Sequence, residues 1–182
     1  MRPDFPQIAS LSAMITRALD AIARLDAKLA AMATDLNIPS PEFRDLAAAA
    51  YVLHNIYGAL ENIFEQVSRT FENHVTDPTQ WHRELLTKMF LEIPKVRPAV
   101  LPVELRGFLN DLRGFRHVFR YTYEFELDAE KLSLLLRDWK KSSQPLISSL
   151  MRFRDDLLEE IKYWRSHCSH PVSLRGSLLY FR

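Results

Sequence analysis

Between Leu105 and Tyr123 the chain carries four arginines and one histidine at spacings that a helix would gather onto one side. At about 100° per residue, Arg106, Arg113, Arg116, His117 and Arg120 fall within an arc of roughly 100° that contains no carboxylate. Guanidinium groups one turn apart form a fork that grips phosphate oxygens. Imidazole is the side chain best suited to moving protons near neutral pH. The combination points to a phosphodiester or a nucleotide, with an ordinary solvated basic face as the plainer alternative. No glycine-rich phosphate loop accompanies it anywhere in the chain.

Other residue groupings carry weaker signals. His167-Cys168-Ser169-His170 places three potential metal ligands within four residues. Zinc needs a fourth ligand and a rigid scaffold, and the chain has no second cysteine, so no metal is expected. Glu61 with Glu65, and Asp155-Asp156 with Glu159-Glu160, have the spacing of solvated helix faces. His54, His74 and His82 are scattered and suit helix surfaces or helix ends.

The elements that must position the basic stripe follow from apolar periodicity. Ile8, Leu11, Ile15, Leu19, Ile22, Leu25, Leu29, Met32 and Leu36 step by three or four and predict one long helix. Its other face carries Arg17, Asp20, Arg24, Asp26 and Lys28. Asn37-Ile38-Pro39 stops it, and Ser40-Pro41 is a cap and first turn for a second helix reaching about His74. Phe43, Leu46, Ala50, Leu53, Tyr57, Leu60, Phe64, Val67 and Phe71 give that helix its buried stripe. After a turn at Asp77-Pro78, Trp81, Leu85, Leu86, Met89 and Phe90 mark a shorter third helix. Pro94, Pro98 and Pro102 recur every four residues, a spacing no helix interior tolerates, so a loop is expected there.

The stripe-bearing helix begins at Pro102 and buries Leu105, Phe108, Leu112, Phe115 and Phe119. It fades between Tyr121 and Tyr123 into an extended connector. Asp128 caps a last helical region through Leu132, Leu135, Leu136 and Trp139. A break or kink is expected at Ser142-Ser143-Gln144-Pro145, before Leu146, Leu150, Phe153, Leu157, Ile161 and Trp164 resume the pattern. From His170 onward the tail reads as irregular. The expectation is all-α: an up-and-down bundle of four to five helices in a single domain over 1–182, with its core at about 7–169.

Composition narrows the class further. With 47 % hydrophobic and 26 % charged residues the chain suits a soluble globular protein. A net charge of +1 confines any nucleic-acid affinity to a local patch. One cysteine rules out an internal disulfide framework and fits a reducing compartment. No apolar signal core opens the chain and no run approaches a membrane span, so a cytoplasmic location without membrane contact is expected.

At Arg116-His117-Val118-Phe119-Arg120-Tyr121-Thr122-Tyr123 the sequence resembles the HepT-like branch of the HEPN superfamily. The resemblance extends to Leu53-His54-Asn55-Ile56-Tyr57, to Glu61-Asn62-Ile63-Phe64-Glu65, to Trp81-His82-Arg83-Glu84-Leu85-Leu86 and to Phe125-Glu126-Leu127-Asp128, over roughly residues 40 to 140. It implies a helical endoribonuclease toxin of a toxin–antitoxin system that cuts RNA without metal or other cofactor. It also implies a homodimer in which two copies of the motif helix face each other. The family motif is an Arg, a polar residue, three further positions, a His, a spacer and a Tyr. Arg116, His117 and Tyr123 match it, while Tyr121 stands where the family has its catalytic His.

By this resemblance Arg116, His117 and Tyr121 occupy the catalytic positions, and Arg113, Arg120 and Arg106 serve the RNA phosphates. Gly107 and Gly114, seven apart, would let a partner helix come close. The partner implied is a minimal nucleotidyltransferase antitoxin that adenylylates the motif tyrosine, here Tyr123. A phenol is a poor general base at pH 7. Three consequences of Tyr121 therefore stand side by side: His117 takes over proton transfer, the chain binds RNA or nucleotide without cutting, or the substitution inactivates an otherwise toxic protein.

Overall fold

The computed structural model describes residues 3–36, 41–72, 81–121 and 127–167. Its helices are α1 (Phe5–Leu36), α2 (Phe43–Glu72), α3 (Trp81–Met89), α4 (Arg106–Tyr121) and α5 (Ala129–His167), with a short 3-10 turn at Val103–Leu105 leading into α4. Among the described residues there is no strand, only an isolated bridge between Ile93 and Arg97. The all-α bundle is the one the periodicity predicts.

Two helices start on side-chain caps. The α1 start is a capping box. Asp4 Oδ1 accepts from the Gln7 amide at 2.9 Å, and the Gln7 side chain accepts from the Asp4 amide at 2.9 Å. Asp128 caps α5 as expected, its Oδ1 accepting from the amides of Glu130 and Lys131 at 3.1 Å each. The second helix begins at Phe43, two residues later than expected. Pro41 precedes it and Ser40 lies outside the described residues. Phe43 itself is 71 % exposed and does not join the buried stripe, because it sits at the first position, before the helix meets its neighbours.

One core runs through all five helices. The α2 helix lies at its centre, packing on α1, α3, α4 and α5, and Leu53, Ile56, Leu60, Phe64 and Val67 are closed off from solvent. Across from it, Leu109 and Leu112 of α4 are fully buried, and Leu105 and Phe108 nearly so. Asp26, assigned above to the solvent face of α1, accepts from Trp139 Nε1 at 2.6 Å and ties α1 to α5.

Of the break or kink expected at Pro145, the break does not occur: α5 is one continuous helix of 39 residues with the proline inside it. Proline removes the hydrogen bond to the carbonyl four residues back, that of Lys141. Both Pro145 and Lys141 are exposed, where water can solvate a freed carbonyl. The flanking Leu146 and Leu150 are wholly buried and anchor the helix to the core on the far side of the proline.

The proline-rich loop after α3 is held by Arg97, whose side chain is completely buried. Its guanidinium donates to Glu72 Oε1 at 2.7 Å and 3.1 Å and to the carbonyls of Lys88, Leu91 and Pro98. Lys88 Nζ meets the other Glu72 oxygen at 3.1 Å. Burial alone would raise the Glu72 pKa, but hydrogen bonds from Arg97 and Lys88 outweigh it and hold the carboxyl below 4.5. Within this loop Lys95 has φ 64°, a left-handed turn closed by Ile93 and Arg97. Truncating Arg97 strands a buried carboxylate and three carbonyls. Arg97→Ala should cost about 3–5 kcal/mol of unfolding free energy in a urea titration, and Arg97→Lys should recover little of it, because an ammonium cannot reproduce the fork.

Candidate functional site

The site is built on one strip of α2. His54, Tyr57 and Glu61 stand at i, i+3 and i+7, which sets them on one helix face. Glu61 is only 6 % exposed. A carboxylate at that depth needs a cation or hydrogen-bond donors to reach it, and two side chains do. His82 of α3 meets Oε1 through Nδ1, and Arg116 of α4 meets Oε2 through Nη2 at 2.8 Å. With a carboxylate as acceptor, His82 Nδ1 carries the proton. A single buried charge thus joins three helices at the middle of the basic stripe.

This arrangement corrects two readings of the sequence. Glu61 is not on a solvated face, and His54 and His82 are not scattered, since both belong to the Glu61 neighbourhood. The stripe lacks a carboxylate only within α4, because its counter-charge comes from α2. Spacing within α4 alone could not reveal this. The available signal was Glu61 lying one residue past Leu60 and four past Tyr57, inside the buried arc of its own helix.

The other stripe residues sort by depth. Arg113 is half-buried and close enough to Tyr57 to influence its phenol. Burial first, and the Glu61 charge second, push the Tyr57 pKa far above the usual phenol value of 10, against the opposing pull of Arg113 and Arg116. Tyr57 is therefore a neutral phenol. Arg120 and His117 are exposed. Arg106 departs from the group and lies over the Phe90 ring, 5.2 Å from its centroid. The structure therefore brings Arg113, Arg116 and Arg120 towards one face of α2 and leaves Arg106 apart. Tyr121 is the last residue of α4; its side chain, and the whole of Tyr123, lie outside the described residues.

Aromatic rings line the side of the stripe nearer the core. Phe115 stacks on Phe119 at 5.7 Å, and Phe119 meets the His54 ring at 5.3 Å. Three buried polar atoms here have no hydrogen-bond partner: His54 Nδ1, Arg113 Nε and Arg116 Nε. Clusters that exist only to hold a fold rarely leave donors unmatched, whereas binding sites do. Among the described residues, no three His, Cys, Asp or Glu side chains come together as a metal cage. Cys168 and His170 lie outside those residues, as does the expected connector over 122–126.

Neither Gly107 nor Gly114 is required by a close approach within the chain. A Cβ added at either position would meet nothing within 4 Å. Gly114 lines an open groove of about 940 Å³ between α4 and α5, together with Phe115, Val118, Leu132 and Leu135.

Residues 48–157, more than half of the chain, match the family described as HepT-like protein, and the chain belongs to that family of the HEPN superfamily. The matched span contains the whole Glu61 neighbourhood and leaves out α1. No curated protein and no solved structure matches the chain. Among the described residues no helix is long and apolar enough to cross a membrane.

The His54 ring gives a pH prediction. Burial first, then the charges of Arg116 and Arg120, lower its pKa from 6.5, with Glu61 acting in the opposite sense. The unfolded chain therefore binds a proton at His54 more readily than the folded one. The stabilisation is complete above about pH 6.5 and is lost as pH falls through the lower folded value. Urea midpoints measured from pH 7.5 down to pH 5 should fall for the wild type, and His54→Gln should remove part of that slope.

Proposed function

We propose that this chain is a ribonuclease toxin that cleaves RNA without a metal ion, acts as a homodimer, and is neutralised by a nucleotidyltransferase antitoxin that adenylylates Tyr123. The observation that carries the reading is the pairing of Arg116 with the buried Glu61 carboxylate at 2.8 Å inside the basic stripe, with Arg113 Nε and Arg116 Nε buried and unmatched. Family membership supports it.

In this reading Arg116 is the central catalytic group. Glu61 fixes its orientation through Nη2, Nε is buried, and Nη1 is the nitrogen left to face the scissile phosphate. Guanidinium charge stabilises the extra negative charge that develops on phosphorus when the ribose 2′-hydroxyl attacks. Arg113 and Arg120 hold flanking phosphates. His117 stands at the polar motif position and Tyr121 at the position of the family imidazole. AMP on Tyr123 would bring a phosphate close to the same arginines and close the site by charge and bulk. Gly107 and Gly114, open on the surface, suit a second copy packing against α4.

A second reading, a HEPN module that binds RNA or nucleotide without cutting it, is favoured by one feature: the phenol of Tyr121 in place of an imidazole.

Three measurements separate the readings. Total RNA incubated with purified protein should be cut equally well with and without EDTA, and Arg116→Ala should reduce cutting by about 100-fold or more. Salt-sensitive RNA binding without cutting would establish the module instead. Mixing with a minimal nucleotidyltransferase and ATP should add one AMP, located by peptide mass spectrometry at Tyr123. In light scattering Gly107→Leu/Gly114→Leu should shift the protein from dimer to monomer, and an unchanged mass would remove the glycine strip from the interface.

A further inference from the structure

We infer that His54 of α2, a residue outside the family motif, is the general base of this site and supplies the imidazole that Tyr121 does not. The inference rests on the ribonuclease reading above. It goes beyond it by assigning proton transfer to a side chain from a different helix.

The geometric argument begins from where a base must stand. The attacking 2′-oxygen is bonded to the carbon next to the one bearing the scissile phosphate. A base must therefore lie beside the guanidinium groups that hold that phosphate. His54 does: it shares the α2 face of Glu61, which holds Arg116 at 2.8 Å, and its ring lies 5.3 Å from that of Phe119, the chain neighbour of Arg120. Phe119 in turn stacks on Phe115 at 5.7 Å, so the His54 ring lies against a pair of packed aromatic rings. The ring is half-buried; its Nδ1 is closed off from solvent without a hydrogen-bond partner, which leaves Nε2 as the nitrogen for RNA to reach.

The competing groups are worse placed or chemically unsuited. His82 is engaged through Nδ1 by Glu61, which lies between it and Arg116 in the chain of contacts. His117 projects about 100° round α4 from Arg116, away from Phe119. Tyr57 stays a neutral phenol. His54 is neutral at pH 7 because burial and two flanking arginines disfavour its charged form, so its lone pair is available. The charged and titratable groups facing it are Arg116 and Arg120 of α4 and Glu61 of its own helix, with Tyr57 and Arg113 one turn further along.

The step balances as follows. His54 takes the proton from the 2′-hydroxyl, the 2′-oxygen forms a bond to phosphorus, and the bond from phosphorus to the 5′-oxygen breaks. The departing 5′-oxygen takes a proton from water, and the His54 imidazolium returns its proton to the resulting hydroxide. The products are a 2′,3′-cyclic phosphate and a 5′-hydroxyl, with no oxidant, reductant or metal consumed.

The test follows total-RNA cleavage by the full chain from pH 4.5 to 8. The wild-type rate should rise with pH through an inflection below 6.5, the ordinary histidine value from which this ring is lowered. His54→Gln should lose about 100-fold and flatten that rise, since positioned general bases contribute roughly 10²–10⁴-fold. Added imidazole should restore part of the activity to His54→Gly. Histidine ¹⁵N spectra of the wild-type protein give a reading that needs no variant to fold. A 2′-O-methyl oligoribonucleotide, which cannot react, should raise the His54 pKa by bringing phosphate beside it. Cleavage by the wild type that His54→Gln matches within threefold, with the same pH profile, would overturn the inference and leave the ribonuclease reading standing. An oligonucleotide that leaves the His54 titration unchanged would also overturn it. A wild-type protein that does not cut RNA at all would end both.

Discussion

An acidic residue only 6 % exposed has to be met by a cation or by hydrogen-bond donors, and at Glu61 that requirement joins three helices. Arg116 arrives from α4 and His82 from α3, so the helices that carry the chemistry are aligned by the same charge they neutralise. The direction of α4 follows from it. With Arg116 turned towards α2, Leu109 and Leu112 face the core, and Arg120 remains on the accessible side. A guanidinium held through one nitrogen is pre-oriented, which lowers the entropy lost when its other nitrogens engage a ligand.

The molecule contains a second buried acid–base cluster, and the contrast between them is informative. Around Glu72, the Arg97 side chain finds the carboxylate and three carbonyls, and Lys88 completes the carboxylate. Every Arg97 donor has a use, as expected for a cluster that serves only to fasten a loop. Around Glu61, Arg113 Nε, Arg116 Nε and His54 Nδ1 are buried and unmatched. The same chemistry is closed in one place and incomplete in the other. That incompleteness, more than the number of positive charges, distinguishes a site from a structural pin.

Much of the fold was legible from periodicity. Runs such as Ile8 to Met32 and Leu46 to Phe71 repeat at helical spacing because each faces a single core, and the helices appear where those runs lie. Asp128 and the proline-rich loop were equally readable, because capping and proline chemistry are local. Pro145 misled because its penalty is small when the freed carbonyl is exposed and the flanking leucines are buried. The site was half legible. The arginines of α4 declare themselves by spacing within one helix, but Glu61, His54 and His82 join them only through packing between helices. A sequence does not display contacts of that kind, and Arg97 with Glu72, 25 residues apart, eluded it for the same reason.

The central claim is that Glu61 and Arg116 act on one another strongly enough to set the site, and a double-mutant cycle measures this directly. Unfolding free energies of the wild type, Glu61→Ala, Arg116→Ala and the double variant should yield a coupling of about 1–3 kcal/mol. A coupling below about 0.5 kcal/mol would mean that the two side chains are merely neighbours, and the account of this site would be contradicted.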